Sequence, residues 1–366
     1  MTEVGISGRD FTINGKPTYE NRTFEGKRIE GLLFNVRAVQ ATFDDANAET
    51  RKFWAYPDTD EWDPDRNVSD FCAALPAWRA HGVLGLTINF QGGGSLYSEE
   101  IYTTYDNNGF TPAGDVKPAY AERIDRVLAK ADELGMVVIA GLFYAAHILK
   151  LENEPALWRA ADQALRFLEG TGRRNILIEV CNETEVCWNK TGLALFAPEN
   201  CHELVARLKE SHPEFLISLS QGGMNAARNH ALPSPALLQA DDYVLLHGNG
   251  NRAHGLEAGL RQVLAMPELE ANPKPVVINE DSTGIPNLDV AWRNGVSWGY
   301  FDQGFGGDRA WGGDAYCKYK SKPRETSCEA LSGFQTVPVN WTINTDQKRA
   351  FFARVSQVTG VAPGKA

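Results

Sequence analysis

Two glutamates that follow apolar segments are the residues of this sequence best placed to do chemistry. Glu183 ends the segment 175–183 and Glu280 ends the segment 275–280, and an asparagine directly precedes each of them. A short apolar run that ends in polar groups is typical of a central parallel strand, because both faces of such a strand are covered and only its end meets solvent. We therefore expect two strands that each deliver a carboxylate at the edge of a sheet.

A converging pair of carboxylates can split a glycosidic bond. One protonates the leaving oxygen, while the other attacks the sugar or activates a water molecule. The acid must be kept neutral by burial or by a neighbouring negative charge, whereas its partner must stay ionised in a more polar setting. A lone glutamate at a strand end is more often structural, but two Asn-Glu pairs on separate strands favour catalysis. Glu179 lies inside its apolar strand, and we expect it to be a buried structural acid.

The elements that would position these glutamates form a regular alternation. Strands are predicted at 31–36, 83–90, 136–143, 175–183, 215–219, 242–246, 276–278 and 296–301. Helices are predicted at 68–81, 118–134, from 155 to about 169, 199–210, 256–266, 287–293 and 344–358, the last capped by Asn344. A hairpin around Asn14-Gly15 precedes them. No Pro-, Ser- or Gly-rich linker interrupts this pattern, so residues 1–366 are predicted to form a single (β/α)8 TIM barrel, an α/β fold with an N-terminal β-hairpin and long βα loops.

An open doubly wound sheet is the alternative architecture. No Gly-x-Gly-x-x-Gly follows the first predicted strand, and the glycines at 92–94 lead into an aromatic loop rather than a helix, so a phosphate-binding turn is disfavoured. In a barrel the functional site lies at the carboxyl ends of the strands. The candidate substrate-binding residues near those ends are Arg37, Asn89, Gln91, Tyr144, Asn182, Gln221, His247 and Trp298.

Several of these candidates also have a plain structural interpretation. His247 is equally compatible with a hydrogen-bonding group of the site and with a polar residue of the core. Trp298 is either a core side chain or a sugar-facing floor, and its place on strand eight favours the floor. The tyrosines of the loop after strand two, Tyr97, Tyr102 and Tyr105, either offer flat faces to a sugar or pack their own loop. A loop that carries Trp188 is expected after Glu183.

Composition excludes several classes of partner. The net charge of -11 and the pI near 5.2, without any Lys/Arg run, argue against nucleic acid and against an anionic membrane. No segment approaches the roughly 20 apolar residues of a membrane span. The polar start lacks a signal-peptide core, so a cytoplasmic protein is the default expectation, and a secreted protein that has lost its leader is the alternative. The oligomeric state has no sequence signal.

Cysteine and histidine spacing gives no metal or disulfide signature. The six cysteines contain no Cys-x-x-Cys pair, and neither His-x-His nor His-Glu-x-x-His occurs, which disfavours a metal-dependent barrel enzyme. Cys317 and Cys328 could close one loop, although free thiols are the expectation in a chain of this length.

On these motifs the chain resembles the retaining glycoside hydrolases of clan A, and the cellulase-like family 5 most nearly. The resemblance extends from Asn14-Gly15-Lys16 to Trp298. Segment 179–183 is similar to that family's fourth-strand motif, Glu280 to its seventh-strand motif and Trp298 to its eighth-strand tryptophan. The resemblance implies that Glu183 is the general acid/base and Glu280 the nucleophile. It also implies a β-glycoside, oligosaccharide or polysaccharide substrate, retention of configuration, and no metal or organic cofactor.

The chain also departs from the family pattern at three strand ends. Strand two ends in Asn89 and Gln91, strand three carries Tyr144 instead of a histidine, and Gly248-Asn249 follows His247 where the family has His-x-Tyr. In the family that tyrosine contacts the nucleophile. We expect Arg37 to replace an arginine that the family carries near its early strand ends.

Two functional alternatives follow from the same residues. One is a transglycosylase on the same scaffold, and the other is a non-catalytic carbohydrate-binding barrel. A retaining mechanism predicts carboxyl groups about 5 to 5.5 Å apart, whereas inversion requires about 6.5 to 9.5 Å.

Overall fold

The N-terminal segment forms a small antiparallel sheet. The computed structural model describes residues 1–93, 104–224, 232–302, 333–335 and 337–362. Strands Val4–Ser7, Asp10–Ile13 and Lys16–Pro17 pair in sequence order, and the short strands Thr23–Phe24 and Lys27–Arg28 form a second hairpin. The hairpin predicted around Asn14-Gly15 is therefore confirmed.

Eight further strands follow, which we number barrel strands one to eight. They are Asn35–Arg37, Gly85–Asn89, Val137–Tyr144, Ile176–Asn182, Leu216–Ser218, Val244–His247, Val276–Glu280 and Gly299–Tyr300. Barrel strands five, four, three, two, one and eight form one parallel sheet in that order, and strands six and seven form a parallel pair. All eight predicted strands are present, although strands one and eight are shorter than expected.

Backbone hydrogen bonds join these two sheets into a ring. On one side, the Ile278 N–H donates to the Ser297 carbonyl at 2.9 Å, which links strand seven to the segment that leads into strand eight. On the other side, the Asp242 N–H donates to the Ile217 carbonyl at 3.0 Å, which links strand five to the start of strand six. The order of strands is that of a closed (β/α)8 barrel and excludes the open doubly wound sheet.

Helices cover the outside of the barrel. The α-helices are Ala48–Arg51, Pro64–Ala80, Pro118–Glu133, Glu154–Gly170, Thr184–Thr191, His202–Ser211, Pro235–Ala240, Ala253–Leu264, Pro267–Ala271, Ile285–Arg293 and Asp346–Thr359. Four 3₁₀ turns, Val39–Thr42, Lys52–Trp54, Ile148–Lys150 and Ala194–Phe196, complete the described elements. No helix in the described ranges is long and apolar enough to cross a membrane.

Two local predictions were wrong. The segment after Glu183, expected to be a loop, forms the helix Thr184–Thr191. The C-terminal helix is capped by Thr345 rather than Asn344, because the Thr345 hydroxyl accepts the backbone N–H of Lys348 at 3.2 Å. The Asn344 side chain instead accepts a hydrogen bond from the Lys348 ammonium at 2.9 Å.

The interior of the barrel is apolar at one end and polar at the other. Near the N-terminal ends of the strands an apolar cluster includes Leu33, Val137, Leu177 and Val277, and Phe11 of the hairpin packs into it against Tyr243. Towards the carboxyl ends the inward side chains are polar. The barrel is therefore plugged by hydrophobic packing at one end and lined by hydrogen-bonding groups at the other, where the candidate residues lie.

Candidate active site

The two glutamates that the sequence singles out meet at the carboxyl ends of the strands. One carboxylate oxygen of Glu183, one of Glu280 and a ring nitrogen of His247 lie within 4.8 Å of one another. Arg37 and Asn249 complete the group by direct contacts with these carboxylates. Residues from barrel strands one, four, six and seven thus converge although they are separated by up to 243 positions in the chain, counted from Arg37 to Glu280.

Glu183 stands at a sharp turn between strand and helix. Barrel strand four ends at Asn182, and Glu183 adopts a left-handed backbone conformation with φ of 52° before the helix that begins at Thr184. For a residue other than glycine such a conformation costs about 1 to 3 kcal/mol and is concentrated at functional sites. The Glu183 N–H donates to the Ser220 hydroxyl at 3.1 Å, which fixes the turn. The side chain remains 23 % exposed at the barrel mouth.

Glu280 is held more firmly than Glu183. Its side chain is 9 % exposed, and its Oε2 lies 2.6 Å from Nε of Arg37. Its Oε1 accepts a hydrogen bond from the Asn249 amide. Strand seven pairs with strand six through an irregularity between Leu246 and His247, which places His247 directly opposite Glu280. Both oxygens of this carboxylate therefore face hydrogen-bond donors, which fix its orientation.

His247 lies between three carboxylates. Its Nδ1 is 3.2 Å from Glu183 Oε1 and 3.9 Å from Glu280 Oε2, while its Nε2 is 3.6 Å from Glu179 Oε1. Burial lowers the pKa of His247, but the negative charges of Glu280, Glu179 and Glu183 outweigh burial and raise it to about 10. The residue is therefore an imidazolium at neutral pH, and its place is in the site rather than in the apolar core.

Glu179 is the buried structural acid that the sequence predicts. It is completely inaccessible, and its carboxylate accepts hydrogen bonds from the Ser220 hydroxyl at 2.6 Å and the Asn279 amide at 2.9 Å. Burial favours its neutral form, but His247 and Arg37 outweigh burial and lower its pKa. Glu179 is thus an interior anion that balances the two cations of the site.

Arg37 reaches across the barrel from strand one. Besides its ion pair with Glu280, it donates to the side-chain oxygen of Asn182 and approaches Glu179 at 3.8 Å. Burial lowers the pKa of its guanidinium, but the carboxylates of Glu280 and Glu179 outweigh burial and raise it. Because Arg37 occupies the oxygen of Asn182, the amide nitrogen of Asn182 is directed away from Arg37 and can donate to a ligand.

Asn249 is the site residue that the sequence analysis did not select. Its side-chain nitrogen donates to Glu280 and lies 3.4 Å from Glu183 Oε1. The position stood out only as a departure, where the resembled family carries a tyrosine that contacts the nucleophile. Here an amide makes that contact. The sequence feature that could have identified Asn249 is its position two residues after His247, at the end of a barrel strand.

The candidates of strands two, three and five lie around the site rather than in it. Tyr144 is partly exposed, with its hydroxyl beside Gly93. Asn89 is buried over Gly141, where any Cβ would come within 2.4 Å of its side-chain oxygen. The amide of Gln221 lies 3.9 Å from the sulfur of Cys201, towards the helix layer. None of these contacts joins Asn89 or Gln221 to the carboxylate pair.

Gln91 was wrongly predicted to bind a substrate. Its amide nitrogen donates to the Asn108 side chain at 3.1 Å and to the His147 carbonyl at 3.3 Å, and its oxygen accepts from the Tyr144 N–H at 3.1 Å. The side chain is completely buried. Gln91 therefore connects the loops after strands two and three and has no free face for a sugar.

Trp298 was wrongly predicted to form a sugar-facing floor. It is completely buried, packs against Tyr300 and against Phe351 of the C-terminal helix, and donates its indole N–H to Asp281 at 2.6 Å. The core interpretation is the correct one, because the side chain faces the helix layer rather than the barrel mouth. Burial raises the pKa of Asp281 to about 7, against the opposing effect of hydrogen bonds from Asn287 and Trp298.

Loop aromatics and cysteines complete the list of predictions. Tyr105 is buried against Phe43 and His147 and so packs its loop. Tyr97, Tyr102, Cys317 and Cys328 lie outside the described residues. The described cysteines are free thiols, and Cys181 and Cys187 lie on either side of Glu183 with their sulfurs 3.1 Å apart. Burial raises the pKa of the Cys181 thiol well above its ordinary value and keeps it unreactive.

Two clusters among the described residues have side chains close enough together to surround a metal ion. Glu183, His247 and Glu280 have a spacing that could surround an ion, but Arg37 and the imidazolium of His247 already supply positive charge to these carboxylates. Glu169, His212 and Glu214 form a second cluster, in which both glutamates are exposed and His212 contacts Asp162 at 3.2 Å. Neither cluster has the features of a built metal centre.

The fold and the paired carboxylates define the class of structure to which the chain is similar, a (β/α)8 barrel with its site at the carboxyl ends of the strands. A solved structure of a glycoside hydrolase family 5 mannosidase from Rhizomucor miehei matches 99 % of this chain and 98 % of its own, with a TM-score of 0.52 and 11 % identity. The β-1,4-D-mannanase from Cryptopygus antarcticus matches 93 % of this chain and 100 % of its own, with a TM-score of 0.50 and 13 % identity.

These matches confirm the predicted barrel, and at the level of fold they agree with the resemblance to family 5. No protein-family model matches the sequence, and comparison with curated proteins finds no significant relative.

Proposed function

We propose that the protein is a retaining glycoside hydrolase that cleaves a β-glycosidic bond by double displacement. The observation that carries this proposal is the convergence of Glu183 and Glu280, whose nearest oxygens lie within 4.8 Å at the barrel mouth. This upper limit on the distance between the nearest oxygens supports the roughly 5 to 5.5 Å of retaining enzymes over the roughly 6.5 to 9.5 Å of inverting enzymes.

The environments of the two carboxylates support a division of roles. Glu280 is nearly buried and faces donors at both oxygens, one of them the guanidinium of Arg37, so its carboxylate is held in a fixed orientation, as suits a nucleophile. Glu183 is more exposed, as required of a group that must exchange protons with a leaving group and then with water. This assignment agrees with the roles that the sequence resemblance implies.

In the first step Glu280 attacks the anomeric carbon, and a bond forms between that carbon and a carboxylate oxygen. The bond to the leaving oxygen breaks, and protonated Glu183 gives its proton to that oxygen. In the second step Glu183 takes a proton from a water molecule as the water oxygen attacks the same carbon, and the bond to Glu280 breaks. Two inversions at the anomeric carbon give overall retention.

The substrate class we propose to test first is the β-mannosides. Two of the barrels that are similar in fold are a mannosidase and a β-1,4-D-mannanase, and this is the support for that choice. Asn182 offers its amide nitrogen next to the acid/base, where it could donate to a sugar hydroxyl adjacent to the anomeric carbon.

The test is a screen of aryl β-glycosides and of soluble and insoluble polysaccharides, mannans included, with the E280A variant as the blank. We expect turnover by the wild-type protein that is absent from the blank, and a first-formed product with the β configuration by proton NMR. Addition of sugar acceptors in the same screen reveals transglycosylation as longer products. An α-configured first product, or equal turnover by E280A, would contradict the proposed mechanism.

A further inference from the structure

One amide group contacts both candidate catalytic carboxylates. The side-chain nitrogen of Asn249 is hydrogen-bonded to Glu280 Oε1 and lies 3.4 Å from Glu183 Oε1. A primary amide nitrogen carries two hydrogens and accepts none, so one group can donate to both carboxylates at once. The reverse orientation of the amide would turn its oxygen towards two carboxylates, which electrostatic repulsion disfavours.

The loop that carries Asn249 is fixed from several sides. Gly248 donates its N–H to the Glu280 carbonyl at 2.8 Å, and a Cβ at Gly248 would lie only 2.6 Å from Asp281 Oδ1. The close approach to strand seven therefore requires a glycine. Asn251 braces the same loop by donating to the Gly248 carbonyl at 3.1 Å and to the Met224 carbonyl at 3.2 Å. These contacts therefore fix the position of Asn249 relative to the two carboxylates.

We propose that Asn249 is a positioning residue that holds the acid/base and the nucleophile together as a shared hydrogen-bond donor. This inference rests on the proposed function of Glu183 and Glu280. Negative charge moves between these groups during the reaction, because Glu280 loses its charge when it bonds to the sugar and Glu183 gains one when it gives up its proton. A neutral donor with one hydrogen for each carboxylate stabilises the charge at either location without ionising itself.

Other charged and titratable groups face the same pair and must be held constant in any test. They are Arg37 from strand one, Tyr144 from strand three, Glu179 within strand four, His247 from strand six and Asp281 after strand seven. Asn249 differs from all of them in being neutral at every pH, so its removal leaves the count of ionisable groups unchanged.

The test compares N249A with N251A, a matched amide deletion two residues along the same loop. Loss of a hydrogen bond to a charged group leads us to expect a decrease in kcat/KM of roughly ten- to a hundredfold for N249A. Both limbs of its pH–rate profile should move to higher pH by about one unit, since each carboxylate loses a donor. N251A should lose stability while the midpoints of its pH profile stay in place.

A second measurement does not depend on turnover. Carbon-13 carboxyl signals of Glu183 and Glu280, assigned with E183Q and E280Q, are followed against pH in the wild-type, N249A and N251A proteins. An upward movement of both titration midpoints in N249A alone supports the shared donor even if the wild-type protein hydrolyses no glycoside. If N249A does not fold, N249L supplies a variant of similar size that has neither amide hydrogens nor a charge. Unmoved midpoints in a folded variant, or equal movement in N251A, would overturn the inference.

Discussion

Glu179 and Glu183 are of the same residue type and lie four positions apart, one within barrel strand four and the other directly after it, but they occupy opposite environments. Glu179 is completely buried and receives fixed donors from Ser220 and Asn279. Glu183 stands in a left-handed turn at the mouth, 23 % exposed, with His247 beside it. Access to the barrel mouth, rather than residue type, therefore distinguishes Glu183 from Glu179.

Two cations, Arg37 and His247, nevertheless contact carboxylates both in the barrel interior and at its mouth. Arg37 contacts Glu280 through Nε and approaches Glu179 through Nη1 at 3.8 Å. His247 likewise has Glu179 on one ring nitrogen and Glu183 on the other. The buried anion therefore keeps both cations charged and oriented towards the mouth, in the way that an outer residue orients a group that touches substrate.

The largest expected effect is on turnover at the mouth. E183A should reduce kcat/KM for a substrate with a poor leaving group by about 10² to 10⁴-fold, because the leaving oxygen loses its proton donor. An aryl glycoside with an acidic phenol should still react in the first step and give a burst of phenol, since that leaving group needs no proton. Stopped-flow absorbance measures both.

E185Q is the control for this prediction. Glu185 lies two residues further on in the same helix and accepts a hydrogen bond from the Gly222 N–H at 2.8 Å, away from the carboxylate pair. E185Q should retain wild-type kinetics within a few-fold. Equal losses of kcat/KM in E183A and E185Q, without a burst of phenol in either variant, would contradict the proposed role of Glu183 as proton donor.

The second effect is on stability and arises in the interior. E179Q keeps the shape of the side chain but removes one of the buried counter-charges of Arg37 and His247. We expect the free energy of unfolding to fall by about 3 to 5 kcal/mol, as for other buried ion pairs that lose one partner. Urea titration measures it. E133Q, which breaks the exposed pair with Lys130, should change stability by less than about 1 kcal/mol. A similar small change in E179Q would show that the interior charge is dispensable.

The sequence was sufficient to predict the barrel and the two glutamates, because both depend on short-range patterns. The buried parallel strands are apolar runs with few interruptions, and the positions of Glu183 and Glu280 follow from where those runs end. Arg37 was predicted as a candidate at the end of strand one, whereas its ion pair with Glu280 was not predicted.

The errors concern residues whose orientation depends on how layers pack. Trp298 faces the C-terminal helix, and the sequence does not specify on which side of strand eight that helix places its aromatic partners. Gln91 lies near a strand end, yet two loops use all of its hydrogen-bonding groups. Asn249 was not predicted, because its amide contacts both carboxylates only through the packing of strand six against strand seven, which the sequence does not specify.

The third prediction concerns pH and the cation that interior and mouth share. Because folding raises the pKa of His247 from 6.5 to about 10, its stabilising contribution is complete below pH 6 and is lost as the pH rises towards 10. Urea titrations of the wild-type protein and of H247N at pH 6, 8 and 10 measure this, and their difference cancels the other titrating groups. The stability difference should shrink steadily with pH. Parallel curves would mean that His247 carries no charge in the folded protein.

The smallest expected effect lies on the far side of strand eight, where Trp298 contacts Asp281. W298F keeps an aromatic side chain but removes part of the buried indole, including the N–H that donates to the carboxyl group at 2.6 Å. We expect a loss of about 1 to 3 kcal/mol in unfolding free energy and less than a twofold change in KM, because the ring contacts the core and no sugar. Chemical denaturation and initial rates measure the two quantities. A tenfold rise in KM with unchanged stability would instead assign Trp298 to the mouth and extend the site to strand eight.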